Sequence, residues 1–440
     1  MPRSPVTTVT ADVLVVGAGP AGIACSVRAA ESGARVLMID RAPEPGGQIW
    51  RHCSGNRIPE SARKCLRRLA RSSAAFRGGT SIVDFQQAED GFAVTAESSG
   101  DPLSLRVDRI VLATGARELF IPFEGWTLLG VMGIGGTQAL HKSGASFRGK
   151  RVAIAGSGPL ILPVAASMRA SGARVVLLAE QAERRIVNRF AMGLVRSPAT
   201  LLQAAAYRAR LAGLRYSAGT WVTKAFGTCA LESVSVTDGE REWQIDADIL
   251  CTGYGLVPNV ELARLIGCEV TEGAIVVNDR QETSMHGVFA AGESTGIGGV
   301  AMSLVEGEIA GYAASAASVP PSLLATAVRH RNAAARMRSA FAPRPELRAI
   351  TTPSTIVCRC EDVKYESVCT IDSSRQAKLY TRTGMGPCQG RICMPSLEFL
   401  LGWTADTVRP PIEAALLRNL LRERVVDASC SSPQTEVSRT

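Results

Sequence analysis

The stretch that most constrains the fold of this chain is VLVVGAGPAG, Val13–Gly22. Four β-favouring apolar residues run into Gly17, Gly19 and Gly22, and an Ala-rich helical segment, Ile23–Glu31, follows. Strand, tight turn and helix in that order open a Rossmann-type unit. Gly17 allows the turn, Gly19 lets the backbone approach a pyrophosphate, and Gly22 lets helix and strand pack closely. Ala18, Pro20 and Ala21 complete the turn, which sets phosphates at a helix N-terminus where free N–H groups and the dipole favour negative charge. A second strand, Val36–Ile39, ends on Asp40, 23 residues beyond Gly17, an acid placed to accept hydrogen bonds from an adenosine ribose. Together these features predict a dinucleotide site rather than a glycine turn of purely structural use.

A chain of 440 residues exceeds what one core usually holds, so two or three domains are expected. No apolar run approaches a bilayer span and Met1–Thr10 lacks an apolar signal core, so the expected location is cytoplasmic, or peripheral to the inner membrane through an electron acceptor. Twelve cysteines in such a chain point to metal or redox chemistry rather than disulfides. The net charge of +9 is spread through Arg-rich helices such as Ala62–Arg71 and Thr326–Arg338. That pattern reads as solvated faces and docking to an acidic partner. No aromatic-interleaved basic segment speaks for nucleic acid.

Beyond Asp40 and Arg41 comes a glycine-rich loop, Pro43–Trp50, carrying Gly47 and Gln48. Only Cys53 follows it, with no CxxxxC pair, so dithiol chemistry is not expected there. Ile110–Gly115 is a buried strand ending in Ala113-Thr114-Gly115, and much later VFAAGE runs from Val288 to Glu293. GAGPAG, the acidic strand end, ATGA and VFAAGE together resemble the two-dinucleotide-binding flavoproteins that include thioredoxin reductase, over about Ala11 to Ser315. The resemblance implies FAD, with Gly292 and Glu293 at its ribityl chain, although family members usually carry Asp where this chain has Glu. It also implies that the helix Val300–Ser315 points its N-terminus at the flavin, where the dipole stabilises the anionic reduced form.

A second strand–turn–helix, RVAIAGSG at Arg151–Gly158, is followed by a strand from Arg174 that leads to Glu180. Gly156 and Gly158 keep the first two glycines, but Ile161 holds the third position and Pro163 falls in the first helical turns. A branched side chain there pushes the helix outward. The unit is open to three readings: a working NAD(P) site, another adenine nucleotide such as ATP held without hydride chemistry, or a structural remnant. FMN at a subunit interface is a further candidate ligand. The loop Gly130–Gly149 has no cysteine, which excludes thioredoxin reduction. Cys251, in an apolar strand, reads as a small buried hydrophobe.

After Val319-Pro320-Pro321 the composition changes, and the last unit holds Cys358-Arg-Cys360, 27 residues, and Cys388-Gln-Gly-Arg-Ile-Cys393. Paired thiolates on tight loops are what an iron–sulfur or zinc site requires. Structural zinc prefers CxxC, while CxC and CxxxxC with GxCQGRxC resemble the bacterioferritin-associated-ferredoxin-like [2Fe–2S] module. The resemblance implies Cys358, Cys360, Cys388 and Cys393 as ligands, with Arg359, Arg382 and Arg391 offsetting the negative cluster. Zinc, or no metal, is the alternative. Cys369 falls outside both pairs.

The expected fold is therefore α/β, with two Rossmann-like dinucleotide-binding domains of thioredoxin-reductase type and a small C-terminal [2Fe–2S] domain. The FAD domain is expected over 1–118 and 253–318, with an inserted domain at 119–252. A helical linker at 319–353, the cluster domain at 354–426 and a disordered tail at 427–440 complete the chain. The order of motifs resembles the α-type subunits of heteromeric dye-linked amino-acid dehydrogenases, among them D-hydroxyproline dehydrogenase, opine oxidase, L-proline dehydrogenase and hydrogen cyanide synthase. The resemblance implies electron relay from a D-amino-acid-dehydrogenase-like β subunit, with room for a small ferredoxin-like γ chain, and no catalytic residue in this chain. Within the group D-hydroxyproline is the first candidate substrate and opines the second. A self-contained NAD(P)H-dependent flavin/iron–sulfur reductase and a non-catalytic nucleotide-binding scaffold are the rival readings.

Overall fold

The computed structural model describes residues 7–50, 59–196, 198–404 and 408–420. Arg51, Cys53 and the segment 427–440 lie outside the described residues. The first sheet runs in the order Ala75–Arg77, Val36–Ile39, Thr7–Val16, Asp101–Leu112, Gly91–Ser98, Thr80–Ala88, with Val288–Ala290 also beside Asp101–Leu112. One long strand makes this possible. Its first half, from Asp101 to Val107, pairs antiparallel with Gly91–Ser98, and its end, Ile110–Leu112, pairs parallel with Val288–Ala290. The late VFAAGE segment thus returns to the sheet that the chain began, beside the strand that pairs with Val13–Val16.

Two helices lie against this sheet, and glycines decide how closely. The helix Pro20–Glu31 starts one residue after Gly19. A Cβ on Gly22 would stand 1.8 Å from the Gly17 carbonyl oxygen. The helix Gly299–Ala314 crosses it through Gly307 and Gly311, whose Cβ atoms would meet the Ala21 and Cys25 carbonyl oxygens at 2.2 and 2.7 Å. Only glycine lets these backbones approach so far.

The inserted unit has its own parallel sheet, in the order Tyr216–Ala218, Arg174–Glu180, Arg151–Gly156, Ile249–Gly253, Val131–Gly133. A three-stranded antiparallel sheet, Trp221–Phe226, Ser233–Thr237 and Glu242–Asp246, packs with it through a core that includes Trp221, Val234 and Leu250. The two units are joined by a narrow antiparallel pair, Ala116–Glu118 against Leu256–Pro258.

A long helix, Pro321–Ala340, leads to the C-terminal unit. There Ile356–Cys358 pairs with Val363–Lys364, and two helices, Ser374–Thr381 and Cys393–Leu401, close a small core around Val357, Val368, Leu397 and Trp403. This unit docks on both others. Trp126 Nε1 donates to the Ile356 carbonyl at 2.6 Å, Thr351 Oγ1 to that of Pro122 at 2.6 Å, and Ser396 Oγ to that of Phe120. On the first unit, Ile412 N donates to Val83 O at 3.3 Å and Asn419 Nδ2 to Glu97 Oε2 at 2.6 Å.

Candidate functional site

The first glycine turn is shaped by backbone contacts that exclude side chains. Gly17 has φ +107°, and a Cβ there would fall 2.2 Å from the Ala113 carbonyl oxygen. Gly19 is different: a Cβ on it meets nothing within 4 Å, so this face of the turn opens onto a cavity. Gly47 packs its Cα side against Gly19, and Gly46 N donates to Ala18 O at 2.8 Å, tying the Pro43–Trp50 loop to the turn. Asp40 accepts from Ala18 N at 2.6 Å through Oδ2 and from Ala42 N at 2.7 Å through Oδ1, and stays half-exposed. Pro20 sits at the first turn of the helix, where its missing N–H costs nothing.

Opposite the turn, Thr114 Oγ1 donates to Asn259 O at 2.6 Å and Asn259 Nδ2 returns a bond to Thr114 O at 2.9 Å. Gly115 follows with φ +69°. Gly292 has φ +80°, and its N–H donates to Glu306 Oε2 at 3.0 Å, as does Thr295 Oγ1 at 3.0 Å. Glu306, on the helix behind, is thus the buried anchor of the turn that carries Glu293. Burial pushes the Glu293 carboxyl above its ordinary range against an opposing bond from the Gly299 N–H. Glu306 went unread in the sequence; a lone acid on the buried face that also carries Met302, Ser303, Ile309 and Ala310 is the pattern that marks it.

The second glycine turn differs in its helix and in how deeply its acid is buried. Its helix, Ile161–Ala170, starts five residues after Gly156, whereas the first starts three after Gly17. Ile161 is fully buried. Gly158 has φ +88° and its N–H donates to Glu180 Oε2 at 2.7 Å, while Ala182 N donates to Oε1 at 2.9 Å. The connector after the long helix covers this turn. Ser157 Oγ donates to the Phe341 carbonyl at 2.8 Å, and Gln181 Nε2 donates to Ser157 Oγ at 2.9 Å and to the Ala342 carbonyl at 3.0 Å. The Phe341 ring stands edge-on to Phe190, centroids 4.9 Å apart. Glu180 is 0% exposed and offers no open oxygen to a ribose in this conformation.

The four paired cysteines come together at the edge of the C-terminal unit. Cys358 ends a strand and is buried, Cys360 is exposed, Cys388 is half-buried, and buried Cys393 opens the helix Cys393–Leu401. The thiols meet in two pairs, Cys358 with Cys393 and Cys360 with Cys388. The bond from Cys393 first, then the N–H groups of Gly384, Glu361 and Cys360, pull the Cys358 thiol down to about 6 against the opposing effect of burial. The Cys393 thiol is pushed up by the same bond and by burial. A Cβ on Gly386 would stand 2.2 Å from Cys360 Cβ, so only glycine fits beside that side chain. Cys369 is exposed and faces away, toward the Glu366 carbonyl. Among the described residues no three His, Cys, Asp or Glu side chains already converge to hold a metal ion.

All of these parts border one cavity of about 2650 Å³. Gly17, Asp40, Gln48, Thr114 and Glu293 line it at the first turn, Ser157 and Gly158 at the second, and all four paired cysteines at a further wall. Arg41 also lines it and pairs with Glu413 at 3.2 Å, which in turn pairs with Arg391 at 2.9 Å.

Two outcomes follow from the turns. Because a side chain at Gly19 meets no protein atom, Gly19→Val is expected to fold normally yet lose flavin, with dinucleotide affinity down at least about tenfold (about 1.4 kcal/mol); a soluble variant that purifies fully yellow would exclude this cradle. At the other turn, burial pushes Glu180 up to about 7 from an ordinary 4.5, its hydrogen bonds opposing. A folded pKa above the unfolded one means that the contribution is greatest below about pH 4.5 and is lost as pH rises to 7. Glu180→Gln should therefore flatten the fall in unfolding free energy between those pH values, measured by urea titration, while costing about 1–3 kcal/mol at low pH because an amide N–H₂ meets a donor.

A family model described as pyridine nucleotide-disulphide oxidoreductase matches residues 11–317. An opine oxidase subunit of Rhizobium meliloti (strain 1021) is 33% identical, over 91% of this chain and 96% of that relative. Hydrogen cyanide synthase subunit HcnB of Pseudomonas protegens is 28% identical, over 90% of this chain and 91% of its own. Among solved structures, L-proline dehydrogenase from P. horikoshii superposes with a TM-score of 0.69 over 96% of this chain and 81% of that one, and at 18% identity this bears on the fold alone. With its two Rossmann-like units and these relatives, the chain belongs to the pyridine nucleotide-disulphide oxidoreductase family, alongside the opine oxidase subunit.

Proposed function

We propose that this chain is the FAD- and [2Fe–2S]-containing electron-relay subunit of a heteromeric amino-acid or amine dehydrogenase. Electrons would come from the flavin of a D-amino-acid-dehydrogenase-like β subunit and leave to an acceptor, with a small ferredoxin-like γ chain as a further partner. The observation that carries this reading is the single cavity bordered both by the dinucleotide cradle and by all four paired cysteines. The opine oxidase and hydrogen cyanide synthase relatives support it, since both are named as subunits. They leave D-hydroxyproline, an opine or a related secondary amine as the substrate class. A cytoplasmic or membrane-peripheral site of action fits a chain in which no described helix is long and apolar enough to cross a membrane.

The residues fit both groups. Gly19 and the N-terminus of Pro20–Glu31 leave room and free N–H groups for a pyrophosphate, Asp40 keeps an exposed edge for a ribose, and Glu293 faces the cavity. Around the sulfurs, the N–H groups of Gly384 and Glu361 aim at Cys358 and that of Cys388 at Cys360, as thiolate ligands require. When bound, the cluster would take electrons one at a time from a carrier that receives them in pairs. The rival NAD(P)H-dependent reductase needs an acid free to hold a ribose at the second turn, and the full burial of Glu180, bonded to the Gly158 and Ala182 N–H groups, weighs against it. The scaffold reading leaves the cysteine pairs without a use.

Serine in place of Cys358, Cys360, Cys388 or Cys393 is expected to remove the iron and the brown colour, while Cys369→Ser keeps both. One zinc and no iron in protein made with ample iron would overturn the assignment. The chain alone is expected to reduce no dye with D-hydroxyproline or an opine, and to do so once a β subunit is co-expressed. C–N oxidation needs a carboxylate held beside flavin N5, usually by Arg; robust oxidation by the isolated chain would move the catalytic centre into this polypeptide.

A further inference from the structure

The cavity brings the cradle and the cysteines to one space, and two side chains tie its walls together: Glu413, between Arg41 and Arg391, and Arg117. Arg117 lies on the narrow strand pair between the units, with its side chain 18% exposed. Its Nη1 donates to Asn259 Oδ1 at 2.6 Å, its Nη2 pairs with Glu261 Oε1 at 2.8 Å, and its Nε donates to the Arg391 carbonyl at 2.9 Å. Asn259 is the residue that bonds in both directions with Thr114 at the flavin wall. Arg391 lies inside the Cys388–Cys393 loop, and its own guanidinium is fixed by the Ile412 carbonyl and Glu413. The planar fork of Arg117 thus spans from Thr114 through Asn259 to the backbone of the cysteine loop, and no lysine could make all three contacts at once.

We propose that Arg117 is the positioning residue that sets the separation and coupling between the flavin and the cysteine-bound cluster. The inference rests on the relay reading above. With both groups bound, the flavin would supply electrons in pairs and the cluster would take them one at a time, each passed to an external one-electron acceptor before the next, while Arg117 fixes the span between the residues that hold them. Arg117 itself is neither oxidised nor reduced. Its contribution is a fixed, hydrogen-bonded span, in which a half-buried guanidinium with three partners holds its geometry.

The test uses the full chain and first counts FAD and iron. A wild-type protein without either cofactor defeats the relay reading, whereas the Arg117 inference is decided by protein that carries both. Arg117→Met and Arg117→Lys are then compared with wild type by injecting an electron from a photoreduced deazaflavin and following its redistribution between the flavin and cluster absorption bands. At unchanged FAD and iron content, redistribution is expected to slow several-fold in Arg117→Met. Arg117→Lys, which keeps the charge but not the fork, should fall between. Redistribution at the wild-type rate in loaded Arg117→Met overturns the proposal. If Arg117→Met loses its iron, the wild-type rate in Arg117→Lys overturns it instead.

Discussion

The structure depends on backbones that touch without side chains between them. Gly22 against Gly17, Gly307 against Ala21 and Gly311 against Cys25 bring a strand and two helices within van der Waals range of one another. That stack fixes the N-terminus of Pro20–Glu31 over the end of the parallel sheet. It also carries Gly299–Ala314, and so Glu306, to the turn that holds Glu293. Any Cβ at these glycines would displace backbone rather than the end of a flexible side chain, so the cost is not relieved by rotamer change. The position of the cradle is therefore a packing result before it is an electrostatic one.

The two Rossmann turns put one chemical device to different uses. In each, an acid at the end of the second strand accepts a backbone N–H from the glycine turn: Asp40 from Ala18, Glu180 from Gly158. Asp40 remains half-exposed, so its carboxylate is solvated and can exchange that bond for a ribose hydroxyl. Glu180 is fully buried, and burial raises its pKa to about 7. A buried carboxylate with two amide donors is committed to holding the turn in place, because leaving those donors unpaired would cost about 1–3 kcal/mol each. Identical strand–turn–acid grammar thus leaves the acid half-exposed in one unit and fully buried in the other, although both turns border the cavity.

That contrast explains what the sequence made legible. The first turn, its strand, its helix and Asp40 are all set within about one βαβ unit, where glycine spacing and apolar runs carry the information. At the third-glycine position Ile161 is fully buried, and the helix Ile161–Ala170 starts later after its glycine turn than Pro20–Glu31 does. The connector packed on that turn was not readable, because Ser157 meets Phe341 across 184 residues of chain. Arg117 was equally hidden. Its partners Asn259 and Arg391 stand 142 and 274 residues away, and within the segment ATGARE it looks like an ordinary surface charge. Local pattern reports local structure; bridges between units are fixed by topology that no single window contains.

The C-terminal unit completes that topology by spanning the hinge. The strand pair Ala116–Glu118 and Leu256–Pro258 that joins the two Rossmann units is narrow, three residues on each side. Yet Ser396, Ile356 and Thr351 are bonded to Phe120, Trp126 and Pro122 on one side, while Ile412 and Asn419 are bonded to Val83 and Glu97 on the other. A rotation about the hinge must break the bonds on one side or the other. At about 0.5–1.5 kcal/mol for each hydrogen bond, losing either set costs a few kcal/mol before any apolar contact is counted. The inserted unit is thereby tied to the first through the C-terminal unit, and the bonds that place the cysteine loop beside the cavity also oppose a swing of one Rossmann unit against the other.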